Sequence, residues 1–193
     1  MLLFATGNRH KFEEISKTLA HYGIELSFQK TDLIEPDLDS LKEVALAKAK
    51  QAFALYRKPL IVEDTGFYLE AYPGFPGPNS KWVFNRIGYE GLFKLLSGKS
   101  RKGFFHTVIC LIDGPESHRF FEGKWQGKVG KKVVMPEKDA MPYARIFIPD
   151  GEKRTAVEMP FEEKDQKSQR SIAAHALGKW LKEKALHELI DSI

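Results

Sequence analysis

The first eleven residues constrain the fold most. Met1-Leu2-Leu3-Phe4-Ala5 is a short apolar run that passes through Thr6-Gly7-Asn8-Arg9-His10 to Lys11 and a segment of helical spacing. A strand that feeds a helix this directly belongs to an α/β arrangement, and the turn between them suits an anion. Glycine lets the backbone turn tightly and approach a ligand, the first helical N–H groups point at whatever lies there, and the helix dipole favours negative charge. Thr6 and Asn8 add side-chain donors, and Lys11, one turn into the helix, can reach a phosphate oxygen. The same residues also make an ordinary capped helix, with Asn8 as N-cap and Lys11 in solvent.

The rest of the chain continues the alternation. Phe12, Ile15, Leu19 and Tyr22 keep helical spacing up to an end at His21-Tyr22-Gly23, Glu25 to Gln29 alternates as a strand, and Thr31 to Asp39 is an acidic loop. Leu41, Val44, Ala45, Ala49, Ala52 and Tyr56 mark a second helix capped by Asp39 or Ser40 and stopped by Pro59. Leu60-Ile61-Val62 reads as a buried central strand ending at Glu63-Asp64-Thr65-Gly66, where open α/β sheets hold ligands. Tyr72 to Asn79 is too rich in proline and glycine for regular structure and reads as a loop. A helix follows over 87–96, then a hairpin of strands 104–112 and 119–125, and a further alternating stretch over 125–134. Ile146-Phe147-Ile148 forms one more strand, and a long terminal helix places Ile172, Ala173, Ala176, Leu177, Trp180, Leu181, Leu186, Leu189 and Ile190 on one face.

With 193 residues, 42% of them hydrophobic, the chain can bury one substantial core, and it reads as a single domain over 1–193. One cysteine, Cys110, lies in an apolar run, which excludes an internal disulfide and predicts an inert thiol in a reducing compartment. No apolar run approaches the roughly 20 residues of a membrane span. The expectation is a cytoplasmic protein without a membrane partner. The net charge of +4 raises nucleic acid as a partner, but lysines and acids alternate, and the basic pieces 99–102 and 131–132 are short and lack interleaved aromatics. Lysines gathered around one phosphate-rich small ligand account for the excess equally well.

Taken together, Thr6-Gly7-Asn8-x-x-Lys11, Glu63-Asp64-Thr65-Gly66, Gly74-Phe75-Pro76-Gly77-Pro78 with Lys81-Trp82, and Glu163-Lys164 before Ser168-Gln169-Arg170 occur in one chain order. In this order they resemble the inosine triphosphate pyrophosphatase family, which removes non-canonical purine nucleoside triphosphates. The resemblance implies a long, mixed, twisted central sheet flanked by helices, in two lobes with an active-site cleft between them. Members are usually homodimers. It implies Mg²⁺-dependent attack of water on the α-phosphate of substrates such as ITP, dITP or XTP, giving the monophosphate and pyrophosphate. It also implies that Glu35 and Asp64 hold Mg²⁺, with Asp64 as the base that orients or deprotonates water, and that Thr6, Asn8, Lys11, Lys48, Thr65, Lys81, Lys164 and Arg170 contact the substrate. Read on their own, Glu35 is one of several acids in its loop, and Lys48 can equally be one solvated lysine among Lys42 and Lys50.

The base end departs from the family pattern. An aromatic-Gly-aromatic-Asp segment becomes Met141-Pro142-Tyr143-Ala144, and Ser-His-Arg becomes Ser168-Gln169-Arg170. Tyr143 is then the available stacking ring, and Gln169 keeps donor and acceptor capacity where histidine would titrate. The expectation is triphosphate chemistry with altered base selection. The alternative is a nucleotide-binding protein of the same fold with weak or lost turnover.

Overall fold

The computed structural model describes the backbone of residues 1–190 and the side chains of residues 1–185. Its strands are β1 (Leu2–Ala5), β2 (Leu26–Gln29), β3 (Leu60–Leu69), β4 (Tyr72–Gly77), β5 (Lys102–Ile112), β6 (His118–Val129) and β7 (Phe147–Pro149). Its helices are α1 (Arg9–Ala20), α2 (Leu41–Tyr56), α3 (Ser80–Leu95), the single turn α4 (Phe161–Lys164) and α5 (Gln169–Ile190). The seven strands form one mixed sheet in the order β2-β1-β3-β5-β6-β7, with β4 paired to β3 off that path. β1 runs parallel to β2 and β3, and the remaining pairs are antiparallel.

Alternation along the central strands builds two cores. Leu3, Ala5, Leu60, Val62, Val108 and Cys110 face α2, whose Ala45, Ala49 and Ala52 are small enough to let the helix lie close to the sheet. Phe4, Ile61, Ile109 and Leu111 face the other way, against Ile15 and Leu19 of α1 and Ala173 and Leu177 of α5. A strand covered on both faces must be apolar at every position, which is why 60–62 and 108–112 are unbroken apolar runs. A third core, with Phe67, Leu69, Leu92, Leu96, Ile146 and Phe147, fills the far end of the long strands. β3 spans both ends, and the polar residues 63–65 lie where the cores change over. Cys110 is buried as expected, and burial pushes its thiol up to about 12.

Four expectations are corrected here. Strand β3 does not stop at Glu63-Asp64 but runs on to Leu69, because β5 pairs with it along its whole length, from Leu60↔Ile112 to Leu69↔Gly103. The stretch expected to be a loop is largely strand β4, antiparallel to β3, with a cis Phe75–Pro76 bond. Among the described residues β4 pairs only with β3, so its prolines need no N–H on the open side. The helix expected over 87–96 begins at Ser80, broken at Gly88 (φ 58°, ψ −164°), a conformation open to glycine. The alternation over 125–134 is the end of β6, which stops at Val129. Helix α5 covers the expected terminal helix, although the side chains of Leu186, Leu189 and Ile190 lie outside those described.

Candidate active site

Two parallel strands, β1 and β2, end beside the middle of a third, and each of the three delivers a different piece of chemistry. β2 leads into the acidic loop with Glu35, β1 into the Thr6-to-Lys11 turn, and β3, which runs on past them, carries Glu63 and Asp64 in its middle. Ligand sites of open α/β sheets lie at this edge, the carboxyl ends of parallel strands.

The opening turn is a capped helix. Asn8 Oδ1 accepts from Lys11 N at 3.2 Å, and Asn8 N donates to Thr6 Oγ1 at 3.1 Å. Gly7 has no left-handed φ, and a Cβ there would meet only Thr31 O at 3.6 Å, so the turn itself does not demand glycine. Asn8 Nδ2 lies 3.6 Å from Met141 Sδ, which brings the divergent 141–144 segment against the turn.

Adjacent residues of an extended strand point to opposite faces, and this separates the two carboxylates of β3. Glu63 faces α1 and α5. Its side chain is fully buried, Lys11 Nζ lies 2.5 Å from Oε2, Arg170 Nε lies 3.2 Å from Oε1, and Thr65 donates to Oε1. Burial alone would raise this carboxyl, but Lys11, Arg170 and the Thr65 hydroxyl together pull it down to about 2. Arg170 also donates to Glu14, whose other oxygen lies 3.5 Å from Lys164 Nζ.

Asp64 faces α2 and meets Lys48 Nζ at 2.9 Å, while the same ammonium lies 3.2 Å from Glu35 Oε1. Burial raises the Asp64 carboxyl above its ordinary range, neighbouring Glu63 adds to this, and Lys48 and Lys11 only partly offset it. Glu35 is half in solvent. Burial raises its carboxyl less than Lys48, Lys11 and Lys81 lower it. Lys81, exposed at the start of α3, thus belongs to the same electrostatic neighbourhood.

Two hard-oxygen donors therefore converge on one cationic position, which the Lys48 ammonium fills. That donor set fits Mg²⁺, which prefers carboxylate oxygen and keeps several waters, and it could hold the ion between Glu35 and Asp64.

A profile of the Ham1 family matches residues 2–180. The chain belongs to the Ham1 family. A dITP/XTP pyrophosphatase of Methanopyrus kandleri is 40% identical over 184 residues, covering 94% of this chain and 96% of that one. An inosine triphosphate pyrophosphatase of Yarrowia lipolytica is 36% identical over 189 residues, covering 95% and 97%. The solved Ham1 protein of Coxiella burnetii superposes with a TM-score of 0.78 at 24% identity, covering 95% of this chain and all of that one, and shares its fold.

In this Ham1 chain Lys11, Glu35, Lys48, Asp64, Thr65, Lys81, Lys164 and Arg170 gather at one strand edge, with Thr6 and Asn8 in the turn beside them. Gln169 is buried beside Arg170, and its Oε1 has no hydrogen-bond partner. Tyr143 is the exception and corrects its expected stacking role. It is 6% exposed in the third core, with its ring against Phe67 and Phe84 and its hydroxyl donating to Ser80 O at 2.9 Å. A 3-10 turn over Pro142–Arg145 aims it inward.

Sequence reasoning missed Glu14 and Thr107, and saw Glu63 only as part of a motif. Thr107 is set opposite Thr65 by the β3–β5 register, and its hydroxyl lies 2.5 Å from that of Thr65. The one signal for Glu14 is a carboxylate beside buried Ile15 and one turn past Lys11, which many solvated helices share.

Proposed function

We propose that the protein hydrolyses non-canonical purine nucleoside triphosphates of the ITP, dITP and XTP type to the monophosphate and pyrophosphate, with Mg²⁺ as cofactor. The observation that carries the reading is the position shared by Glu35, Lys48 and Asp64, flanked by Lys11, Lys81, Lys164 and Arg170. Relatives over nearly the whole chain are named dITP/XTP pyrophosphatases, which supports the substrate class.

The cations and the α1 N-terminus bind the triphosphate, each lysine acting as a movable point charge and the turn supplying backbone donors. These cations are matched by Glu14, Glu35, Glu63 and Asp64, which set their positions before a phosphate arrives. Glu63 is the fixed partner that holds Lys11 and Arg170 in place. When bound at Glu35 and Asp64, Mg²⁺ offsets phosphate charge as a Lewis acid. Asp64, with its carboxyl raised by burial, takes the proton of the attacking water.

At the base end, the unpaired Gln169 Oε1 is an acceptor for a ring N–H, and the same amide offers an N–H to a six-position oxygen. Hypoxanthine and xanthine present that pair and adenine does not, so Gln169 favours the oxo-purines. Among the described residues no helix is long and apolar enough to cross a membrane. A homodimer without a nucleic-acid partner, in the cytoplasm, completes the reading.

The test is pyrophosphate release from a panel of triphosphates in Mg²⁺ or chelator, by the native chain and by Asp64→Asn. Release from ITP, dITP and XTP that chelation and Asp64→Asn both suppress is expected. No release from any triphosphate, with nucleotide-dependent thermal stabilisation retained, overturns turnover in favour of binding alone.

A further inference from the structure

At the C-terminal end of α1, away from its Lys11 end beside the β3 carboxylates, the residue that caps the helix, the residue after α4 and the middle of α5 bring His21, Asp165 and His175 together. Their donor atoms lie within 4.8 Å of one another. His175 Nε2 is 3.2 Å from Asp165 Oδ1, and His21 Nδ1 is 3.4 Å from Asp165 Oδ2. Zinc held tetrahedrally at bond lengths of about 2.0–2.1 Å sets neighbouring donors about 3.3–3.4 Å apart. Each imidazole is thus already at about that distance from one oxygen of the Asp165 carboxylate, and one donor from each of the three residues falls within 4.8 Å of the others.

The surroundings orient these donors. Tyr22 Oη lies 2.9 Å from His175 Nδ1, which leaves Nε2 turned toward Asp165, and Thr18 Oγ1 donates to Asp165 Oδ1 at 2.9 Å. Outer hydrogen bonds of this kind fix ring orientation and ligand basicity at metal sites. His175 and Asp165 side chains are 14% and 9% exposed, whereas His21 is 56% exposed, so two donors are held inside and the third faces an entry path. His21 and Asp165 also line an open cleft of about 490 Å³ with Phe161 and Glu162, which leaves room for water at a fourth position. Lys17 opposes a cation there, but its ammonium lies over the Phe161 ring, 5.2 Å from the centroid.

We propose that His21, Asp165 and His175 form a zinc-class divalent cation site that ties α1 to α5 through the segment following Lys164. Imidazole donors suit zinc, cobalt and nickel, whereas magnesium takes oxygen ligands, so this ion is chemically distinct from one held by Glu35 and Asp64. The site does no chemistry on the nucleotide and does not depend on the proposed hydrolysis.

The full chain, stripped with chelator and returned to excess Mg²⁺, is titrated with Zn²⁺ by calorimetry and with Co²⁺ by visible absorption. One Zn²⁺ per chain is expected, with a Tm rise of about 5–10 °C at a hundredfold excess over Kd, and the visible bands of four-coordinate Co²⁺. His21→Ala changes an exposed ring, keeps the fold, and weakens Zn²⁺ about tenfold or more. His175→Gln serves as the second variant and removes the Co²⁺ bands. No Zn²⁺-dependent shift in the native chain, or the same shift in both variants, overturns the proposal and leaves a hydrogen-bonded cluster.

Discussion

Replacing Glu63 by glutamine keeps the shape of the side chain and removes the one charge that Lys11 and Arg170 share. The folded carboxyl, at about 2, lies below its ordinary 4.5, so its contribution to stability is complete above pH 4.5 and is lost as pH falls through 2. At 1.36 kcal/mol per unit, that contribution is about 3 kcal/mol. Glutamine also leaves Lys11 without its counter-charge and Arg170 with Glu14 alone, and breaking a buried pair from one side costs about 3–5 kcal/mol. The two figures are views of one interaction and do not add. Urea unfolding at pH 7 should show the variant less stable by about 3–5 kcal/mol, equivalent to about 6–20 °C in Tm for a chain of this size. The pH dependence is the sharper test. Acidification from pH 5.5 toward 2 should shrink the difference between native and variant by about 3 kcal/mol, because only the native chain takes up the proton at this site. A difference below about 1 kcal/mol at pH 7, or one that is constant with pH, refutes the reasoning.

Tyr143→Phe removes the hydrogen bond to Ser80 O and leaves the ring in its core, so it should cost about 1 kcal/mol by denaturant unfolding while the KM for nucleotide is unchanged. A tenfold rise in KM would return Tyr143 to the substrate. Gly123→Ala puts a methyl group against Gln169 O at the start of α5, and it should lower Tm by about 3–10 °C and raise KM with it, since Gln169 and Arg170 must move. Asp64→Asn should lower kcat by about 10²–10⁴, measured as pyrophosphate release, with stability at neutral pH little reduced.

Local pattern carried much of the fold. Apolar alternation and helical spacing are properties of neighbouring residues, so β1, α1, β2, α2, the β5–β6 hairpin and α5 were readable, as was the opening turn as a candidate anion site. The clustering of Lys11, Lys48, Asp64 and Arg170 was legible only through the order of several short motifs, since no single one of them was specific. β4 was not readable, because its proline and glycine content hides a strand that exists only where β3 offers an edge.

The sequence by itself determined which segments are buried, which turn faces the ligand edge, and which lysines and carboxylates are available there. Tertiary structure alone decided their pairing. Register across β3 and β5 put Glu63 and Asp64 mid-strand on opposite faces, one held by α1 and α5 and the other by α2. The turn over Pro142–Arg145 sent Tyr143 into the core, and the meeting of α1 with α5 made Glu14 a partner of Arg170 and set His21 and His175 about Asp165. Such contacts join residues up to 156 positions apart, and hydrophobic periodicity holds no information about which distant charge a buried charge will find.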